Sequence, residues 1–302
     1  MRRKFHILDV FTDTPFTGNP LAVVLDTQGL DTQRMQAIAR EFNLSETVFV
    51  LEPNDPIDTA RLRIFTPSRE LPFAGHPTVG TAVLLARLRA PDLMMREDLR
   101  VVLEEGIGRI DCSVRQLRGR AATAHFTLPQ LPQPEGTVAD AAALARALGL
   151  DESDIGFDHH VPSRWSAGNP FTFVPVKSLD AAARARPDPS SFARVIGGER
   201  PAVYLYTSDV VREGSHVHAR MFAPGLGIFE DPATGSAAAA FAGVAVAYEA
   251  PEDGSHELVI EQGFEMGRPS LIHLGLDIAG GQLLQASIGG SVVPISEGTI
   301  EA

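Results

Sequence analysis

Glu46 lies in an otherwise neutral stretch, between Ser45 and Thr47 and just ahead of the apolar run Val48-Phe49-Val50. A carboxylate at the mouth of an apolar strand loses water, which favours its acid form. Its pKa then rises toward the range in which one group both takes and gives a proton. The same glutamate stands three residues after Asn43, the spacing of a capping box, so a helix-capping role stays open beside the catalytic one. Two further candidates, His76 and Asp231, head the phrases His76-Pro-Thr-Val-Gly-Thr-Ala82 and Asp231-Pro-Ala-Thr-Gly-Ser-Ala237. Both phrases read as helix starts, with Pro77 and Pro232 at the first helical position. His76 and Asp231 then fall at the caps, where Asp is a good residue and His a poor one. The slim residues behind them let a ligand approach unpaired N–H groups at the positive end of the helix dipole, an arrangement that favours an anion. Gly75, Gly235 and Ser236 are the expected backbone and hydroxyl donors to a substrate carboxylate. Closure of helix–strand packing is the competing reading of both phrases.

These phrases belong to a longer pattern that the chain carries twice. Arg63-Ile-Phe-Thr-Pro67 precedes the first and Arg220-Met-Phe-Ala-Pro224 the second, and Gly18-Asn19-Pro20 and Gly168-Asn169-Pro170 each precede an apolar strand pattern. Self-similarity of this kind decides architecture before any local reading does. It predicts an α+β protein of two pseudo-symmetric lobes from internal duplication, each a curved, mostly antiparallel sheet around a central helix. The two helix starts are expected to face one cleft suited to a small carboxylic acid.

Around the motifs, residues 5–10, 21–25, 47–51 and 61–65 read as strands, and residues 31–42 as an amphipathic helix with Met35, Ile38, Ala39 and Phe42 on one face. Residues 78–89 and 237–248 are apolar nearly all round, as a helix enclosed by sheet must be. Residues 101–103 and 108–114 predict a hairpin, 125–128 a strand and 138–148 a helix ending at Gly149. Strands follow at 171–176 and 202–207. The Pro- and Gln-rich stretch 130–136 is the linker candidate. It sets an N-terminal lobe at 1–129 and a C-terminal lobe at 130–287.

The 302 residues, 44% hydrophobic and 21% charged, suit a soluble globular chain with room for two cores. A net charge of −12 argues against nucleic acid or an anionic membrane as partner, since either needs a basic face. No apolar stretch reaches the roughly 20 residues of a membrane span. A single cysteine, Cys112, makes no intramolecular disulfide, which fits a reducing cytoplasm. His159-His160 and His216-Val-His218 lack a second ligand cluster, and His216 and His218 read as solvated residues on one strand face; no metal is expected. Gly106-Ile-Gly108 and Gly225-Leu-Gly227 lack the dinucleotide fingerprint, so no cofactor is expected either.

Asn43-Leu-Ser-Glu-Thr-Val-Phe49, Ala74-Gly-His-Pro-Thr78, Glu230-Asp-Pro-Ala-Thr-Gly-Ser-Ala237 and Gln262-Gly263 with Met266-Gly-Arg-Pro-Ser270 resemble the PhzF family of phenazine-biosynthesis isomerases. The resemblance runs from Leu8-Asp-Val-Phe-Thr12 to Val293-Pro294. It implies the two-lobed fold of diaminopimelate epimerase, with a last strand, about 288–302, returning to the first lobe. It also implies a homodimer. Glu46 matches the family's proton shuttle, and His76 and Asp231 would bind and polarise the substrate. The epimerase relatives use paired cysteines near these helix starts; both places lack cysteine here, which disfavours a racemase. The implied activity is a cofactor-independent isomerase acting on a small cyclic or conjugated carboxylic acid, similar to trans-2,3-dihydro-3-hydroxyanthranilate isomerase. An epimerase, or a non-catalytic small-acid-binding protein on the same fold, is the alternative.

Overall fold

In the computed structural model, which describes residues 1–117, 119–226 and 228–302, the chain divides into two units. Unit 1 is Met1–Pro129 with Gly289–Ala302, and unit 2 is Gln130–Ile288. Gly227, the second glycine of Gly225-Leu-Gly227, lies outside the described residues.

Unit 1 runs β1 (Arg2–Val10), β2 (Asn19–Val24), α1 (Thr32–Phe42), β3 (Glu46–Leu51), β4 (Ala60–Phe65), β5 (Glu70–Leu71), α2 (Gly75–Arg89), α3 (Pro91–Met94), β6 (Leu99–Glu105), β7 (Gly108–Gln116) and β8 (Ala122–Thr127). Unit 2 runs β9 (Gln133–Pro134), α4 (Ala141–Leu148), β10 (Ser163–Ser166), β11 (Pro170–Pro175), α5 (Leu179–Arg184), α6 (Phe192–Ile196), β12 (Val203–Thr207), β13 (Val217–Ala223), β14 (Ile228–Asp231), α7 (Gly235–Glu249), β15 (Gly254–Gln262) and β16 (Ser270–Ala279). The last strand, β17 (Gln282–Glu301), begins in unit 2 and ends in unit 1, where it pairs antiparallel with β1.

Most pairings are antiparallel, and the parallel ones recur in matching places. β2 lies parallel to β3 across α1, and β11 parallel to β12 across α5 and α6. β4 lies parallel to β6 across α2, and β13 parallel to β15 across α7. Parallel neighbours need a crossover long enough to hold a helix, so these four pairings fix where the helices go. α2 packs against β1, β2, β3, β6, β7 and β8, and its residues Gly75 to Ala86 are all buried. α7 is buried likewise from Ala237 to Ala245. Over these buried stretches neither helix has a polar face, as their uniform apolar composition requires.

The repeated phrase has a physical content. Arg63 makes a two-pronged contact with Glu70 at 2.6 Å and lies over the Phe65 ring. Arg220 does the same with Glu230, at 2.8 and 2.9 Å, over Phe222. Glu104 accepts from the backbone N–H groups of Asn54 and Asp55, and Glu261 from those of Val211 and Arg212. Each unit thus pins the loop ahead of its β4- or β13-type strand with one carboxylate.

Small residues set two close approaches. Gly18 has a left-handed φ of 69°, and a Cβ there would meet the Val10 carbonyl at 2.4 Å. Only glycine fits, and the turn it permits delivers Asn19 into the interior. Gly243 of α7 lies under Trp165 of β10, so that a Cβ would fall 2.3 Å from the indole. Alanine in a helix gains about 1 kcal/mol over glycine, while overpacking costs about 1–3 kcal/mol. Gly243→Ala should therefore lower stability by up to about 2 kcal/mol, read as a lower urea midpoint at unchanged slope. A raised midpoint would mean that the indole moves aside at little cost.

Candidate functional site

α2 begins two residues earlier than its proline spacing predicts. Its first residue is Gly75, its N-cap is Ala74, and the cap makes no side-chain hydrogen bond. His76 is therefore the second helical residue and Pro77 the third, where the missing N–H is still one of the unpaired donors and removes nothing from the helix ladder. α7 begins at Gly235 after Thr234, which also makes no side-chain cap bond. Asp231 ends β14 three residues before that cap, opposite Met221 of β13, just as Leu71 ends β5 opposite Ile64 of β4. The expectation that His76 and Asp231 cap their helices and occupy equivalent places is thus corrected. Gly75 matches Gly235 and His76 matches Ser236.

In unit 1 the helix start brings three polar residues together. Glu46 opens β3, and Asn19 opens β2, which runs parallel beside it. The Asn19 amide donates from Nδ2 to His76 Nδ1 at 3.3 Å. An amide nitrogen only donates, so Nδ1 is the bare nitrogen and the ring proton sits on Nε2. That nitrogen faces Glu46 Oε2 at 3.5 Å. Burial pushes the His76 pKa down to about 3, and the ring is neutral at physiological pH. His76 therefore presents a neutral N–H, not a cation, to the Glu46 carboxyl. The capping-box alternative for Glu46 is overturned: Asn43 is the left-handed C-cap of α1, and Glu46 is a strand residue.

Behind this group sits a residue that no motif singles out. Glu105, at the end of β6, is buried; its Oε1 contacts the Thr78 hydroxyl at 2.7 Å, and Oε2 has no hydrogen-bond partner among the described residues. Thr78 Oγ1 also lies 2.8 Å from the Ala74 carbonyl. One hydroxyl proton serves one acceptor, so both contacts are satisfied when Glu105 is the acid and donates to Thr78, which donates on to Ala74. Burial, against the Thr78 contact, pushes the Glu105 pKa up to about 8. The β15 residue in the same place is Gln262, whose side chain donates to the Asp231 carbonyl at 2.7 Å and accepts from the Thr234 N–H at 3.1 Å. A neutral acid in unit 1 and an amide in unit 2 thus prop the two helix starts.

In unit 2, Asp231 Oδ2 accepts from the Thr234 hydroxyl at 2.6 Å. Gly235 is buried and Ser236 partly so. Tyr204 lies nearby: burial, and behind it the charge of Asp231, push its phenol up. Asn19, Thr78, Glu105, Thr234 and Tyr204 escaped notice because each is an ordinary polar residue in an apolar segment. The one available signal was Gly18-Asn19-Pro20, a turn delivering an asparagine to a strand mouth. Cys112 is buried on β7.

The other histidines have partners. His160 contacts Tyr206 at 3.0 Å and Glu249 at 2.8 Å, and His159 contacts the Tyr248 carbonyl. His218, expected to be solvated beside His216, is buried instead, between Glu261 at 2.8 Å and Glu265 at 2.9 Å. Burial alone would lower its pKa, but the two carboxylates raise it to about 9. Among the described residues no group of three or more His, Cys, Asp or Glu is arranged for a metal ion, and no helix is long and apolar enough to cross a membrane.

The Glu105 acid has a measurable signature. Its folded pKa of about 8 lies above the ordinary 4.5, so the folded state keeps a proton that the unfolded chain releases. The stability this gives is complete below pH 4.5 and is lost as pH rises through about 8. Glu105→Gln, which keeps the shape without the proton, should lack that loss. Urea midpoints of the two proteins should diverge across this window in favour of the variant; parallel profiles would mean that Glu105 is ionised in the fold.

A family model described as "Phenazine biosynthesis-like protein" (PhzC-PhzF) matches residues 8–298. An uncharacterized isomerase of Mesorhizobium japonicum is 49% identical over 302 residues, covering 99% of this chain and 98% of its own. A trans-2,3-dihydro-3-hydroxyanthranilate isomerase of Pseudomonas fluorescens is 34% identical, covering 98% and 99%. Among solved structures, a Bacillus anthracis phenazine biosynthesis protein of the PhzF family superposes with a TM-score of 0.88 at 28% identity, with all of both chains covered. A hydroxyproline epimerase of Agrobacterium vitis, at 13% identity and a TM-score of 0.61 over 99% of this chain and 92% of its own, shares the fold.

Proposed function

The chain belongs to the phenazine biosynthesis-like (PhzC-PhzF) family, and from that premise we propose that it is a cofactor-independent isomerase with Glu46 as the proton carrier. Its relatives carry isomerase names at 49% and 34% identity, which supports an isomerase or epimerase of this family's type. The finer reading is a proton shift within a small cyclic or conjugated carboxylic acid, of the kind the Pseudomonas fluorescens relative is named for.

The observation that carries it is the Glu46–His76–Asn19 group. In its ionised form Glu46 takes a proton from an acidic C–H of the substrate; the electron pair moves through the conjugated system, and the same carboxyl returns the proton at another carbon. Nothing is oxidised or reduced and no group leaves. His76 serves both half-steps because it stays neutral. Its Nε2–H can hydrogen-bond the carboxylate or a substrate oxygen without donating a full charge that would lock Glu46 in the anionic state. The Gly75 and His76 N–H groups, uncapped at the helix start, favour an anionic substrate group there. The unit 2 helix start, with Asp231, Gly235 and Ser236, is an anion-binding element of the same design, with Asp231 as a group that orients substrate. The two-thiol chemistry of an epimerase finds no support, since burial pushes the Cys112 thiol up and Cys112 lies on β7.

Glu46→Gln should fold and bind ligand but lose turnover by more than about 10²-fold, and Asp231→Asn should lose less. Turnover in D₂O should place deuterium at the carbon that receives the proton. A folded Glu46→Gln protein that turns over a confirmed substrate near the wild-type rate would remove Glu46 from the mechanism.

A further inference from the structure

The two units differ at one place where their scaffolds otherwise agree. In unit 2, β13 presents His218 and Arg220 on one face, and the segment between β15 and β16 folds over them. Glu265, in that segment, reaches His218 at 2.9 Å and Arg220 at 3.9 Å. The segment is internally bonded, Met266 and Arg268 donating to the Gly263 carbonyl and Gly267 to that of Phe264. In unit 1 the matching strand residues are Arg61, opposite Glu104 as His218 is opposite Glu261, and Arg63, paired with Glu70 as Arg220 is with Glu230. The matching connection is only Gly106-Ile107, between β6 and β7. That connection holds no carboxylate to match Glu265. A cavity of about 490 Å³ opens there instead, lined by Arg61, Arg63, Glu70, Glu104, Leu71 and Pro72 among others.

Charge and hydrogen bonding agree on what is missing. Unit 2 sets two cations, His218 and Arg220, against three carboxylates, Glu230, Glu261 and Glu265. Unit 1 sets Arg61 and Arg63 against Glu70 and Glu104 alone, since Glu105 is held as the neutral acid. Glu104 is occupied by Asn54 and Asp55, and Glu70 by Arg63. Arg61 Nε is buried with no hydrogen-bond partner among the described residues. Arg61 as a residue is only partly buried and lines the cavity with Arg63, and a carboxylate is the natural partner of a guanidinium.

We propose that the unit 1 cavity between Arg61 and Arg63 binds a small organic carboxylate, seated where unit 2 seats the side chain of Glu265. The volume falls in the range of small-molecule sites, roughly 300–1,000 Å³, and Leu71 and Pro72 give an apolar wall for a ring or short chain. Glu105 also lines the cavity, but Asn19, Glu46 and His76 do not, so the proposal does not rest on the isomerase reading.

The test uses benzoate as the probe and the full-length protein with ¹³C-labelled leucine methyls. Benzoate should shift the Leu62 and Leu71 methyl resonances saturably, with a Kd in the millimolar range, about −4 kcal/mol. Arg61→Gln should weaken this at least tenfold without changing turnover, and Arg61→Lys, which keeps the charge, should retain more of it. Absence of saturable shifts at these methyls by about 10 mM benzoate, ten times a millimolar Kd, would overturn the proposal. So would shifts untouched by Arg61→Gln, shifts abolished instead by His76→Ala, or shifts that appear only on protein dilution, which would mark the occupant as an acidic side chain of a second chain.

Discussion

Enclosure of α2 by sheet is the constraint on which the rest of unit 1 depends. A helix with no wet face must be apolar all round, and its first turn, too, is out of water. A histidine placed there cannot hold a charge unless an anion pairs with it closely. Asn19 takes the one nitrogen that would otherwise accept a proton, which leaves His76 a fixed neutral donor aimed at Glu46. Tautomer, orientation and charge of the ring thus follow from burial plus one amide, and the amide is in place because Gly18 turns the chain inward.

The same constraint explains why both helix starts need a prop from the neighbouring strand. Neither Ala74 nor Thr234 caps its helix with a side chain, so the loop before each helix must be fixed from elsewhere. β6 and β15 end beside those loops, and Glu105 and Gln262 are the residues that reach them. An amide does this at any pH. An acid does it only while protonated, which ties the unit 1 helix start, with Gly75 and His76, to a titration that unit 2 lacks.

Much of the fold was legible in the chain because its signals were local. The strand and helix periods, the Gly149 stop and the duplicated Arg-x-Phe phrase all depend on neighbours in sequence. Glu46 and His76 were legible as candidates for the same reason: each is a polar residue in a segment that should have none. What misled was the alignment of the two helix starts. His76-Pro77 and Asp231-Pro232 match letter for letter in their second residue, yet Pro77 lies inside its helix and Pro232 before its own. The β13–β14 hairpin separates the paired Met221 and Asp231 by ten positions where the β4–β5 hairpin separates Ile64 and Leu71 by seven, so the units fall out of step there. Sheet register, which ties Leu71 to Ile64 and Asp231 to Met221, restores it. Register is a property of strand pairing, and residue types alone do not give it. Asn19, Glu105 and Gln262 were hidden for the same reason, since their roles exist only once distant strands lie beside the helix starts.

Burial alone does not decide the charge of a carboxyl in this protein; the number of donors that meet it does. Glu261 is fully buried, and burial would raise its pKa, yet His218 and the N–H groups of Val211 and Arg212 bring it below the ordinary value. Glu105 is buried nearly as deeply but meets one hydroxyl, and desolvation wins. Glu46 is partly buried at a strand mouth, with the neutral His76 ring at 3.5 Å. A carboxyl fixed as an anion cannot return a proton easily, and one fixed as an acid cannot take one. Carrying a proton both ways asks for a carboxyl held in neither state, and the donor count takes Glu261 and Glu105 out of that role in opposite directions.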